Sequence, residues 1–418
     1  MTTYDPSMLR TLITRRRPGH SLDGAFYTDD GVFAADMDLI FGRHWICVGV
    51  EPDVPEPGDV RVIDIGDWSI LIVRDNDNQI RAYHNVCRHR GARLLTGPHA
   101  VVGNLVCPYH AWVYGLDGRL IHAGHMDEVF DAASHGLLAV HLRSVGGLLF
   151  ICLSDDPPAD IEALARDMAP YLQPHDLANA RIAHEVDIIE PGNWKLTMEN
   201  NRECYHCVGN HPELSAAFVA LNFGHNPASL SASERIEVED YDARLRQAQS
   251  EWEAEGLPSA QIEHLDDCIT GFRTERLLID GHGESHTLDT RAACGHLLGR
   301  FDNPRKGGLT FWTQPNSWHH FMGDHVVSFS VIPIDAGHTL VRTKWLVHKD
   351  AVEGVDYQLD TLTHVWLATN QQDLNLVGIA QQGVRNPAYR PGPYSTHTEG
   401  LVEKFAGWYV GRLDALCA

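Results

Sequence analysis

The chain has 418 residues, 44% of them apolar and 21% charged, enough length for two or three domains with real cores and a balance that excludes wholesale disorder and fibrous repeats. Acidic residues outnumber basic ones 56 to 33, a formal charge of −23, which repels phosphate backbones and argues against a nucleic-acid partner. The longest apolar run, over 145–153, has strand length and falls far short of the roughly 18–20 residues of a membrane span, so a soluble protein with no membrane partner is expected.

Residues 1–43 read as an N-terminal lead with helical stretches over 8–15 and 36–41. Its Arg15-Arg16-Arg17 is followed by Pro18-Gly19-His20-Ser21-Leu22-Asp23, which contains no apolar core, so no export signal and a cytoplasmic location are expected. Over 44–155 the pattern is short strands (60–65, 69–74, 80–84, 101–106, 111–114 and 148–152) separated by turn residues such as Gly66-Asp67 and Asp117-Gly118. Such tight spacing predicts a small antiparallel β domain. Asp155-Asp156-Pro157-Pro158 then reads as a linker. Over 156–418 the texture becomes α+β, with helices expected over 161–171, 194–207 and about 352–382 and strands over 183–189, 310–312, 326–332 and 340–347. Nine cysteines, an odd number in a long chain, point to reduced thiols, some of them holding metal, rather than a disulfide framework.

Within the β region stand Cys87-Arg88-His89 and Cys107-Pro108-Tyr109-His110, each followed by turn residues. Two loops giving one thiolate and one imidazole each could hold zinc tetrahedrally, or a Rieske [2Fe–2S] centre with two Cys on one iron and two His on the other. Zinc fingers place a Cys pair before a His pair, so the order Cys-x-His then Cys-x2-His favours the second reading. The stretches Cys87-Arg88-His89-Arg90-Gly91 and Cys107-Pro108-Tyr109-His110-Ala111-Trp112 resemble the Rieske motif of ring-hydroxylating-type oxygenases. The resemblance implies a cluster on Cys87, His89, Cys107 and His110.

The second constellation lies in 194–212. His206 and His211 are five positions apart, about 140° on a straight helix, so they can share a metal only if the helix loosens, and Gly209-Asn210 and Pro212 supply a break. Two imidazoles and one carboxylate form the facial triad of ferrous oxygen-activating sites. Leu359, Leu362, Trp366 and Asp373 fall on one inward stripe of the last long helix, where an Asp is costly unless paired or metal-bound; Asp373 is therefore the expected third ligand. Cys204 and Cys207 have Cys-x-x-Cys spacing, but no second pair or βαβ pattern accompanies them, and no redox or zinc role is expected.

Glu199-Asn200, Glu203-Cys204-Tyr205-His206-Cys207, His211-Pro212 and Thr369-Asn370-Gln371-Gln372-Asp373 resemble the iron-binding segments of Rieske oxygenases, and Glu203 stands where many relatives have Asp, as in the subgroup acting on quaternary ammonium compounds. The resemblance implies a Rieske domain joined to a helix-grip catalytic domain of antiparallel sheet and helices, assembled as a homotrimer. It implies a [2Fe–2S] cluster, a mononuclear Fe(II) and O2 as co-substrate, with Glu203 bridging His110 of one chain to His206 of its neighbour. A small cationic or zwitterionic substrate is implied, hydroxylated at an N-methyl carbon to release formaldehyde; glycine betaine leads, with stachydrine or carnitine types next and arene dioxygenation as the alternative. No Gly-x-Gly-x-x-Gly follows a strand, so electrons are expected from a separate flavin and iron–sulfur NAD(P)H reductase. Phe218, Phe223, Trp312, Trp318 and Phe321 are candidates for an aromatic cage around the cation.

Overall fold

Asp5 caps the first helix, α1 (Pro6–Arg15), by accepting the Ser7 N–H, and Leu9 and Leu12 turn inward from it. Two short helices, α2 (Ala25–Thr28) and α3 (Asp30–Ala35), run into a π-helical turn over Asp36–Phe41. The computed structural model describes residues 4–218 and 224–417. The π turn carries Asp36, 0% exposed, into the core, where it accepts hydrogen bonds from Trp194 Nε1 at 2.9 Å, from Tyr409 Oη at 2.5 Å and from the Lys195 ammonium. Thus the lead is bolted to helices of the C-terminal half.

Ten strands follow: β1 (Ile46–Val50), β2 (Asp59–Ile65), β3 (Trp68–Arg74), β4 (Ile80–His84), β5 (His99–Val101), β6 (Leu105–Val106), β7 (Val113–Tyr114), β8 (Leu120–His122), β9 (Ala139–Val145) and β10 (Leu148–Cys152). They form an antiparallel sheet in the order β1-β10-β9-β4-β3-β2-β5 and a three-stranded sheet β6-β7-β8. The strand expected over 101–106 is two strands in different sheets, because Gly103-Asn104 between them turns the chain.

The rest contains α4 (Ile161–Leu172), β11 (Ala180–Glu190), α5 (Trp194–Asn200), α6 (Cys207–Asn210), α7 (Ala232–Ala254), β12 (Ile262–His264), β13 (Phe272–Leu277), β14 (Gly308–Thr313), β15 (Ser317–Phe321), β16 (Val326–Asp335), β17 (His338–His348), α8 (Leu359–Val384) and α9 (Gly400–Leu416). Strands β11 to β17 make one antiparallel sheet, ordered β11-β17-β16-β15-β14-β13-β12, and α5 packs between this sheet and α8 and α9. The observed architecture is α+β, as expected. The helix expected over 194–207 stops at Asn200, and the one expected from 352 starts at Leu359, after a turn through Gly354 with φ 80°. Helix α7 escaped the sequence reading because only Tyr241 and Trp252 on it are buried; its one local signal is the Ser231/Glu234 capping box. Among the described residues no helix is long and apolar enough to cross a membrane.

Buried polar contacts lock the two large sheets together. Lys344 of β17 reaches Asp53 at 2.5 Å, Arg61 of β2 reaches Glu185 of β11 at 2.5 Å, and the Asn316 amide exchanges two 2.9 Å hydrogen bonds with the Cys47 backbone.

The Asp36–Lys195 pair yields a stability prediction. Burial pulls the Lys195 ammonium down against the attraction of Asp36, so Asp36→Asn leaves a buried charge uncompensated. Urea unfolding should show a loss of about 3–5 kcal/mol, and the double replacement Asp36→Asn/Lys195→Met should recover most of it.

Candidate active site

The two Cys/His loops have the same backbone construction. In one, Cys87 N–H donates to Ala92 O at 2.8 Å and Gly91 N–H to Cys87 O at 3.0 Å; in the other, Cys107 N–H donates to Trp112 O at 2.8 Å and Ala111 N–H to Cys107 O at 3.0 Å. Gly91 and Ala111 close these turns with φ of 75° and 56°, the left-handed region that favours glycine. The thiols of Cys87 and Cys107 are buried, whereas His89 and His110 are exposed with ring centroids 4.6 Å apart. Trp112 stacks on His89 at 4.8 Å, and Tyr114 Oη lies 3.3 Å from Cys87 Sγ while accepting the Arg88 N–H at 3.0 Å.

Burial pushes the Cys107 thiol up; the backbone N–H groups of Tyr109 and His110 act against it, while the neighbouring Cys87 adds to it. Paired sulfurs inside, with N–H donors near one of them, and paired imidazoles outside suit a cluster with one thiolate-bound and one imidazole-bound iron. The donor set therefore fits a Rieske centre, with its histidine edge facing outward.

The second site begins where α5 ends. The Glu203 carboxylate accepts the backbone N–H groups of Tyr205 and, at 3.3 Å, His206, which diverts them from a helical ladder. His206 then precedes the four-residue helix α6 and His211 follows it. The rings lie 5.0 Å apart, close enough to share an ion, although the break comes earlier than the expected one at Gly209-Asn210.

Each imidazole is held from outside by Nδ1. His206 Nδ1 meets Glu203 Oε1 at 2.6 Å, and His211 Nδ1 meets Gln372 Oε1 at 2.8 Å, Gln372 in turn donating to Glu213 at 2.8 Å. With Nδ1–H donating outward, each Nε2 turns a lone pair inward. Asp373 Oδ1 sits 3.1 Å from His211 Nε2 and 3.5 Å from His206 Nε2, buried and without a hydrogen-bond partner. Burial alone would depress the His206 imidazole, yet Asp373 and Glu203 outweigh it and hold it up to about 9. Positive charge is needed among these groups, and a divalent cation meets that need. Two neutral imidazoles and one carboxylate fit ferrous iron with open positions.

A cavity of about 400 Å³ opens onto these residues. The register of the sheet builds one wall, since Arg273 pairs with Trp312, and Glu275 pairs with Thr310, which pairs with His320. Trp366 of α8 stacks on His320 at 4.4 Å. Burial first, and then the neighbouring imidazoles of His286 and His319, push the His320 imidazole well below its ordinary value, so it is neutral.

Of the cage candidates, Phe218 and Trp312 line the cavity. Trp318 stacks on Phe329 at 4.8 Å and Phe321 belongs to a hydrophobic core cluster; neither lines the cavity, although His320 of the same strand does. Phe223 lies outside the described residues. His320 and Trp366 were missed as cavity residues, although Trp366 already stood on the Asp373 stripe. The expectation of free thiols needs one correction: Cys204 and Cys207 form a disulfide, because the turn after α5 brings their Cα atoms to 4.9 Å. The remaining seven cysteines are free.

Residues 44–136 match the family described as Rieske [2Fe-2S] domain, and residues 177–415 match the family described as Ring hydroxylating alpha subunit (catalytic domain). The chain is 43% identical to the glycine betaine monooxygenase oxygenase subunit of Chromohalobacter salexigens, over 97% of this chain and 89% of that one. It is 41% identical to the subunit of the same name from Pseudomonas aeruginosa strain UCBPP-PA14, over 96% and 91%. A solved quaternary ammonium Rieske monooxygenase in complex with gamma-butyrobetaine superposes with a TM-score of 0.69 at 20% identity, covering 99% of each chain. Naphthalene 1,2-dioxygenase from Rhodococcus sp. gives a TM-score of 0.69 at 17% identity over 98% of each. At such identities the structures show a shared fold.

Metal analysis tests both donor sets. His211→Ala should remove the lone iron while cluster iron, acid-labile sulfide and the brown colour stay. His89→Cys, if the cluster forms, should lower its reduction potential. Stoichiometric zinc without visible absorption would contradict both.

Proposed function

The chain belongs to the Rieske oxygenase family, and we propose that it is the oxygenase component of a monooxygenase that demethylates glycine betaine to dimethylglycine and formaldehyde. The observation that carries this reading is the cavity opening onto His206, His211 and Asp373 between the aromatic walls of Phe218, Trp312 and Trp366. We assign the cluster to Cys87, His89, Cys107 and His110, and the mononuclear iron to His206, His211 and Asp373. When bound, the cluster supplies single electrons and the iron activates dioxygen.

The protein's own residues do the rest. A quaternary ammonium has no N–H to donate, so recognition falls to ring faces; the neutral His320 stacked on Trp366 adds aromatic surface without a repelling charge. Gln372 and Glu203 hold the two imidazoles in the orientation that turns Nε2 inward. Hydroxylation of one N-methyl carbon gives a hemiaminal, which releases formaldehyde and a proton and leaves the dimethylated amine.

Glu203 spends Oε2 on two backbone N–H groups and Oε1 on His206 Nδ1, which leaves Oε1 one lone pair to spare. We place it against His110 of the partner subunit in a homotrimer, since His110 is exposed within its own chain. A separate flavin and iron–sulfur reductase delivers electrons from NAD(P)H in the cytoplasm, where that reductant is available.

Reconstitution with such a reductase should release formaldehyde from glycine betaine in step with oxygen uptake, and the chain with NAD(P)H alone should not turn over. Dihydroxylation of an arene with no formaldehyde from any betaine would overturn the reading. Glu203→Gln keeps the shape but loses the charge. It should retain both metal loads and lose about 10–100-fold in substrate-dependent oxygen uptake; loss of iron would make Glu203 a ligand instead.

A further inference from the structure

One part of the cavity wall carries buried cationic donors that no hydrogen-bond partner satisfies. Arg202 is 0% exposed, donates to Thr313 O at 3.2 Å and Asn201 Oδ1 at 3.1 Å, and leaves Nε buried without a partner. Among the described residues it meets no carboxylate; burial, and next the like charge of Arg273, lower its pKa to about 9. Arg273, 7% exposed, approaches Glu275 at 2.6 Å, yet that contact lacks hydrogen-bond alignment, and its Nε and Nη1 remain unpartnered. Both meet the indole of Trp312, with the guanidinium carbons 5.4 Å and 4.9 Å from its ring centroid, and its Nε1–H is buried and unpartnered as well. Arg202 thus has no carboxylate within ion-pair distance among the described residues, and several N–H donors of the two guanidiniums and the indole lack a hydrogen-bond partner, all in residues that line the cavity.

We propose that Arg202, Arg273 and Trp312 form the subsite for a substrate carboxylate, which fixes a zwitterionic quaternary ammonium acid with its N-methyl groups toward Trp366 and the His206–His211–Asp373 cluster. The inference rests on the proposed function and adds the half of the substrate that the aromatic cage leaves unread. Along the sheet the Arg273–Trp312 pair is one side-chain row, about 6.7 Å, from the row of Glu275, Thr310 and His320. The cavity is therefore polarised, with guanidiniums at one row and a neutral imidazole against Trp366 at the next. A zwitterion matches that polarity in one direction only. Anchoring its carboxylate makes a planar, two-oxygen contact of the kind a guanidinium fork serves best.

The test compares glycine betaine with choline, which keeps the trimethylammonium and replaces the carboxylate by a hydroxymethyl group. In the reconstituted wild type, kcat/KM for formaldehyde release should favour glycine betaine by at least about 100-fold, since a site built for a charged partner rejects its absence. Arg273→Met should collapse that ratio by about 30-fold, chiefly through a higher KM for glycine betaine. Arg273→Lys, which keeps the charge and the contact with Glu275, should fall between the two. An unchanged ratio in the Met variant, or a KM raised equally for both substrates, would overturn the subsite and leave the proposed function standing. If neither variant keeps its metals, the wild-type comparison decides: equal use of choline and glycine betaine removes the subsite. Release of formaldehyde from neither overturns the proposed function, and the subsite with it.

Discussion

Three lone pairs aimed at one point govern this molecule. His206 Nε2 and His211 Nε2 both face Asp373 Oδ1, with the outer nitrogens committed to Glu203 and Gln372. Such an arrangement holds together only around positive charge. Much of the C-terminal half can be understood as its support. The chain breaks after α5 so that two histidines flank a short helix, and α8 is long enough to carry Asp373 and Gln372 at one end of the cavity and Trp366 two turns earlier.

The electrostatics of the cavity extend the same logic. Imidazoles and a carboxylate gather where a cation belongs, and the Arg273 guanidinium stands one row along the sheet from His320. Antiparallel register creates this separation, because residues two apart on a strand face the same side and paired strands align them into rows. The scaffold has to be rigid to keep such charges apart. Buried contacts at Asp36–Lys195, Asp53–Lys344 and Arg61–Glu185 tie the lead, the β region and the second sheet into one frame.

Local reading failed where packing, rather than pattern, chose the outcome. A single helix over 194–207 looked reasonable by composition, but the Glu203 carboxylate takes the N–H groups that the next turn would need. Trp318 and Phe321 looked like cage residues from their position, yet both pack into core clusters, while His320 of the same strand lines the cavity. Helix α7 showed no apolar stripe because almost none of it is buried.

The sequence by itself singled out the two candidate donor sets and determined the α+β architecture. Those features are legible because metal-binding residues need particular types at particular short spacings, and because alternation and turn residues mark antiparallel strands locally. The pairing of Asp373 with two histidines more than a hundred and sixty positions earlier was inferred from an inward stripe, but only the tertiary structure decided that their nitrogens and oxygen converge. It alone also decided that Arg202 and Arg273 meet one indole. Charge balance within a cavity depends on which side chains from distant strands and loops share a row, and that is a property of register and packing, which no local pattern encodes.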